Sequence, residues 1–323
     1  MKTFPQTPPF ARFHGIGDIM VCVLMALLAI HLPAASPAAQ IGKTFSTPEA
    51  AVDALAAAAN ARDQEALRSI FGPASDEIIS VDEVQMANSL TKFTAALNQA
   101  KSLAHFTENS RILEVGKNRW PFPIPLVKKD GQWFFDAEAG KEEVLNRRIG
   151  KNELSTLKAV RAYVEAQREY ASRDRMGNDV LQYARKILSS PGKKDGLYWS
   201  SDLDGEISPL GPLMAQARAE GYIGPAVSGV GAPQPFHGYF YKVLPRQGKS
   251  ASGGQYNYVI NGNMIGGFAL VAYPAHYGES GVMTFIVNHR GRVYQKNLGP
   301  KTCKLAAEMK EFDPDPSWKL SKD

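Results

Sequence analysis

The chain has 323 residues, a formal net charge of +5, 44% hydrophobic and 21% charged residues, and two cysteines. Its basic excess is scattered: Arg147-Arg148 and Lys193-Lys194 stand alone, without the concentrated stripe and interleaved aromatics that nucleic-acid binding requires. Only Cys303 lies beyond the N-terminal segment, so no intrachain disulfide braces the fold, and its setting in TCKLAAEM reads as structural.

In chain order, Lys2, Arg12 and His14 form a weakly basic lead-in, followed by the apolar run Ile19–Leu32 and the small residues of Pro33–Ala39. That order describes a secretory signal peptide over residues 1–39, cleaved near Ala38 or Ala39. The run is shorter than the ~20 residues a membrane-spanning helix needs, and no membrane span is expected after cleavage. Met20 and Val21 before Cys22 lack the small residues of a lipoprotein site.

The segment after it opens with Thr44-Phe-Ser-Thr-Pro-Glu49, where Ser46 or Thr47 can cap a helix with Pro48 in its first turn. The Ala-rich stretch to Ala61 continues it, and Leu67, Ile70 and Phe71 repeat at helical spacing before Gly72-Pro73. A further helix is predicted from Asp82 to about Ala104. Arg111–Val115 and Phe122–Val127 read as strands, the second demoted to an edge by its prolines. Lys129-Asp130-Gly131 is a turn signal with Gln132–Asp136 as its hairpin partner. Residues 44–145 are thus an expected α+β domain, with a loose resemblance to NTF2-like folds through TPEAAVDAL and KDGQWFFD.

A second domain is expected over 150–323. Leu154, Leu157, Val160, Val164 and Ala171 fall on one helical face, and Val180, Leu181, Ala184, Ile187 and Leu188 begin a second predicted helix. A long loop carries Asp195–Trp199 and Ser208–Pro212. From His237 the chain is all strand: 237–244, 267–273, 281–287 and 292–296, joined by Gly- and Asn-rich turns into an antiparallel meander. The tail Phe312–Trp318, with its prolines, is expected to lie over the surface without joining a sheet.

Motifs for chemistry are sparse. His105, His237, His276 and His289 have no spacing that puts two metal ligands on one face, so no metal site and no cofactor are expected. Asp202-Leu-Asp-Gly-Glu206 lacks the later carboxylates of a calcium loop. Gly278-Glu-Ser-Gly281 departs from the nucleophile elbow, because its second glycine comes one residue early and Ser280 precedes a strand. His237, His276 and Ser280 are the candidate catalytic groups, should any exist. Trp199, Tyr239, Tyr241, Tyr273 and Tyr277 are candidate binding aromatics, since rings in strands form either a core face or a stacking surface.

The blocks DGLYW (195–199), SPLGP (208–212), HGYFYKVL (237–244) and GGFALVAYPAHYGESGVMTFIVNHRGRVYQKNLG (266–299) resemble the bacterial DUF2950 family over about residues 45–320. That resemblance implies an exported bacterial protein and supplies no mechanism. The order of helix, loop, GYFYKVL, FALVAYP and MTFIVNHRGRVY is also similar to the globular part of type IV pilins and pseudopilins. It implies an amphipathic helix packed on an antiparallel sheet.

The expectation is therefore an α+β protein of the bacterial periplasm or exterior, binding an envelope glycan, peptide or protein partner without catalysis. An envelope hydrolase with a dispersed active site is one alternative. An accessory subunit of a secretion or pilus-like assembly is another, and it would leave an apolar helix face open at Leu154–Val164.

Overall fold

Short oxygen-bearing side chains set the starts of the main helices. In the computed structural model, which describes residues 41–78, 82–200, 205–222 and 234–321, Thr47 accepts from the Ala50 amide at 3.1 Å to cap α1 (Pro48–Ala61). Asp63 does the same for α2 (Gln64–Phe71) and Asp82 for α4 (Glu83–Gln99), with the single turn α3 (Ser75–Ile78) between them. Asp136 caps the 34-residue α5 (Ala137–Tyr170). Such caps contribute about 1 kcal/mol each by satisfying amides that have no helical partner. The expected signal peptide lies outside the described residues.

The first sheet is antiparallel, ordered β1-β2-β4-β5, with β3 (Trp120–Pro121) also on β2. Its strands are β1 (Lys101–Thr107), β2 (Ser110–Val115), β4 (Leu126–Lys129) and β5 (Gln132–Phe135). Two expectations are corrected here. Helix α4 stops at Gln99, because Ala100 turns extended and 101–107 pairs with β2 instead of continuing the helix. Strand β4 sits between β2 and β5, not at an edge; Pro121, Pro123 and Pro125 precede it and remove no ladder donor. Leu55, Leu113, Leu126 and Phe135 centre the core between this sheet and α1.

Helix α5 continues unbroken through residues 145–150 into a second core. By rise per residue it is about 51 Å long. Leu157, Val160, Tyr163, Val164 and Tyr170 bury one face against a five-stranded sheet. The meander is β6 (Tyr239–Leu244), β11 (Ala269–Pro274), β12 (Met283–Asn288) and β13 (Tyr294–Asn297), antiparallel throughout. The α+β class and the helix-on-sheet packing are therefore present. The face an assembly subunit would leave open is closed from Leu157 to Val164, with only Leu154 exposed.

Residues 180–188 are not helical. Their backbone is claimed elsewhere: Ala184 exchanges hydrogen bonds with the Gln167 amide (2.8 and 2.9 Å), and the Tyr183 amide donates to Met264 O at 2.9 Å. The Ile187 and Lys186 carbonyls accept from Tyr198 and Leu197. Conversely, Gly211–Ala219 inside the expected loop forms α6, with Pro212 in its first turn where a missing N–H costs nothing. The tail also joins sheets. Strand β14 (Glu311–Phe312) runs parallel to β7 (Arg246–Gln247), β7 pairs β8 (Tyr256–Asn257), and β15 (Lys319–Leu320) pairs β13. Each tail contact is two residues long, one before Pro314 and one after Pro316, so the prolines stay outside both ladders and the composition hid the pairing.

Candidate functional site

Two concave places gather polar side chains. The first lies at the seam where the two cores meet α5. Asn152, one per cent exposed, accepts from the Gln85 amide at 2.5 Å and donates to Ser280 O at 2.9 Å. The Tyr222 hydroxyl donates to Asp82 at 2.8 Å, and Asn88 donates to Glu220 O at 2.6 Å. Arg148 donates to Ile78 O. These bonds tie α4, α5, the end of α6 and the strand-β12 turn together. Asp82, Arg148, His276, Glu279 and Ser280 border a cavity of about 40 Å³ there. That is room for roughly one water, at about 30 Å³ each.

The sequence-nominated catalytic residues meet around this seam, but in structural employment. Ser280 Oγ accepts from the His276 amide at 3.0 Å and bonds the His276 carbonyl at 3.1 Å, so its recorded partners are main-chain atoms. Gly281 is glycine because a Cβ there would run into the Tyr239 phenol, whose hydroxyl donates to Met283 O at 2.9 Å. His237 occupies the left-handed region (φ 49°) and Gly238 follows at φ 73°. Phe236 and Tyr239 exchange two backbone hydrogen bonds across them, which makes His237-Gly238 the two-residue loop of a tight hairpin. Asp130-Gly131, and Asn261-Gly262 between β9 (Val259–Ile260) and β10 (Asn263–Met264), turn their hairpins with the same pair of positive φ values. The His237 ring lies 3.1 Å from Glu220 Oε2. Burial lowers its pKa below the ordinary value, against the opposing pull of Glu220 and Asp82. The His276 side chain is exposed.

Strand register separates the candidate aromatics. Tyr241 pairs Ala272 and Tyr239 pairs Pro274, whereas Tyr273 pairs Phe240. Since side chains alternate, Tyr239 and Tyr241 face α5 while Tyr273 and Phe240 face the opposite side. Tyr239 is fully buried, and the Tyr241 hydroxyl lies 3.4 Å from Thr156 Oγ1. Burial drives both phenols up, well above the ordinary tyrosine range. Trp199 is core as well, its ring flanked by Arg175 and Lys194 at 5.8 and 5.4 Å. The candidate aromatics therefore do not share one surface: Tyr239 and Trp199 are buried packing residues, and Tyr241 is half-buried against the core. Tyr273 and Tyr277 remain half-buried, Tyr277 in the turn that bridges to Gly281.

The second concavity lies on the other face of the meander and was not foreseen. Helix α7 (Thr302–Glu308) packs on this face, its C-terminal carbonyls Ala307 O and Met309 O accepting from Lys242 Nζ. Cys303 is exposed there, with Sγ 3.3 Å from Ala275 O. Beyond α7 the tail folds back to enclose a groove of about 390 Å³. Ile286, Met309 and Trp318 supply its apolar wall. Arg246, Lys310, Glu308, Glu311, Asp313 and Asp315 supply its charge. Arg246 Nε lies 2.8 Å from Glu311, and Asp313 Oδ1 accepts from the Ser250 amide at 2.7 Å. The Asp315 carboxyl sits below its ordinary pKa, held there first by the Ser317 hydroxyl. The only sequence signal for this site was a tryptophan among carboxylates and prolines in Phe312–Trp318.

A family model described as "Protein of unknown function (DUF2950)" matches residues 42–320. The chain belongs to that family. No curated protein matches it, and no solved structure does, so the expected likeness to pilins stays an analogy of packing alone. For this DUF2950 chain, no group of three or more His, Cys, Asp or Glu side chains able to hold a metal occurs among the described residues. No helix among them is long and apolar enough to cross a membrane.

Proposed function

We infer that this DUF2950 protein is an exported bacterial envelope protein that works by binding a partner or envelope component in the groove under its C-terminal tail. Export is carried by the basic, apolar and small-residue order of positions 2–39. Binding is carried by one observation: the groove has about 390 Å³ of space with Trp318 on its wall. That volume lies in the range of roughly 300–1,000 Å³ typical of ligand sites, and a half-exposed tryptophan is a common anchor for bound groups.

The hydrolase reading draws on His276, Ser280, Asp82 and Glu279 around the seam cavity. It is disfavoured because the Ser280 hydroxyl bonds the His276 main chain, so among the described residues no base holds its proton. Two experiments test the inference. Mass spectrometry of the envelope fraction should find a mature N-terminus near residue 39; the intact N-terminus in the cytoplasm would refute export. Solubilised envelope peptides and glycans should quench tryptophan fluorescence in the wild type and not in Trp318→Ala. Equal quenching in both would refute the groove.

A further inference from the structure

We propose that the groove takes a basic peptide segment, seating a lysine or arginine side chain against Trp318; this rests on the reading of the groove as the binding site. The whole chain carries a net charge of +5, yet the groove reverses that sign locally. Its lining holds four carboxylates (Glu308, Glu311, Asp313, Asp315) against Arg246 and Lys310. Arg246 is already paired with Glu311, and Lys296 lies beside Trp318 and Asp315, which leaves three carboxylates facing two lysines.

The second observation is geometric. Lys296, on β13, holds its ammonium 5.7 Å from the Trp318 ring centroid and donates to Ser317 Oγ at 2.5 Å. The Ser317 hydroxyl in turn bonds Asp315. Ring, hydroxyl and carboxylate thus form a seat that already carries a primary ammonium of the protein's own. An aromatic face and nearby carboxylates attract a cation through the ring quadrupole and through charge. An incoming lysine side chain competes with Lys296 for that seat, while the remaining carboxylates receive its neighbours. A strongly acidic segment is repelled, and a neutral sugar gains the ring without the charge.

The test uses the mature chain and three probes: acetylated tetralysine amide, tetraglutamate and tri-N-acetylchitotriose, followed by Trp318 indole NMR shifts. Tetralysine should bind and move that resonance, with affinity falling as salt rises. Trp318→Ala, followed through the Glu311 and Asp313 amides because it lacks the indole, should weaken binding about three-fold, in line with a solvent-accessible cation–π contact. Lys296→Met should tighten binding several-fold by removing the resident cation, a gain that misfolding could not produce. If chitotriose moves Trp318 and tetralysine does not, the basic-peptide assignment is overturned while the groove stands. Weaker binding in Lys296→Met, or tetraglutamate binding as well as tetralysine, also overturns it. If no probe moves Trp318, the assignment falls, and the groove reading is then decided separately by the envelope-extract quenching above.

Discussion

The seam around Asn152 and the groove beside Trp318 both collect charged and polar side chains, but they use them differently. At the seam the polar atoms bond one another and the backbone across about 40 Å³, joining two separately cored halves of the molecule. In the groove the charges line about 390 Å³ of open space beside an aromatic ring. A convergence of His, Ser, Asp and Glu is therefore not by itself a site of chemistry. What separates joint from site is the open space the convergent atoms border, about 40 Å³ at the seam against about 390 Å³ in the groove.

That contrast predicts a double dissociation: seam substitutions cost stability and spare groove binding, and groove substitutions do the reverse. The largest stability effect is expected for Asn152→Ala, about 3 kcal/mol in urea unfolding, because the Gln85 amide and the Ser280 carbonyl both lose a buried partner. Gly281→Ala should cost about 2 kcal/mol by overpacking against the Tyr239 phenol, with part of the loss recovered in the Tyr239→Phe background. His237 should make the seam pH-dependent. Its folded pKa is lowered by burial, so the unfolded chain takes up a proton first as pH falls through its value near 6.5. Stability from this group is thus complete above about 6.5 and is lost as pH drops from there toward the folded pKa. The groups facing it are Glu220, Asp82 and Tyr222 with Lys92 and Lys151. His237→Asn, which suits the left-handed turn, should flatten that dependence without unfolding the protein. Ser280→Ala should cost only about 1 kcal/mol, the worth of a turn hydrogen bond, and leave binding unchanged. A loss of activity or binding with intact stability in that variant would break the contrast.

Much of the fold was legible in the sequence, and for physical reasons. The Thr47-Pro48 start, the Asp130-Gly131 hairpin and the four runs of the meander rest on local rules of capping, turn dihedrals and alternation. The misses were tertiary. Residues 180–188 carry helical spacing, but Gln167 and Met264 take their backbone groups. Tyr239 and Tyr273 are both candidate binding aromatics in the sequence, and only the strand register separates them to opposite sides of the sheet. The groove was least legible, because it needs Arg246, Ile286 and Trp318 brought together by two-residue strand contacts too short to leave a pattern.

The most direct test of the central claim is where a bound ligand sits on the protein. Isotope-labelled protein titrated with an envelope peptide extract should show shifts at the Trp318 indole and at the amides of Glu311 and Asp313, with His276 and Tyr222 unmoved. Shifts confined to His276, Ser280 and Tyr222 would contradict the account, making the seam the site and the groove a surface feature.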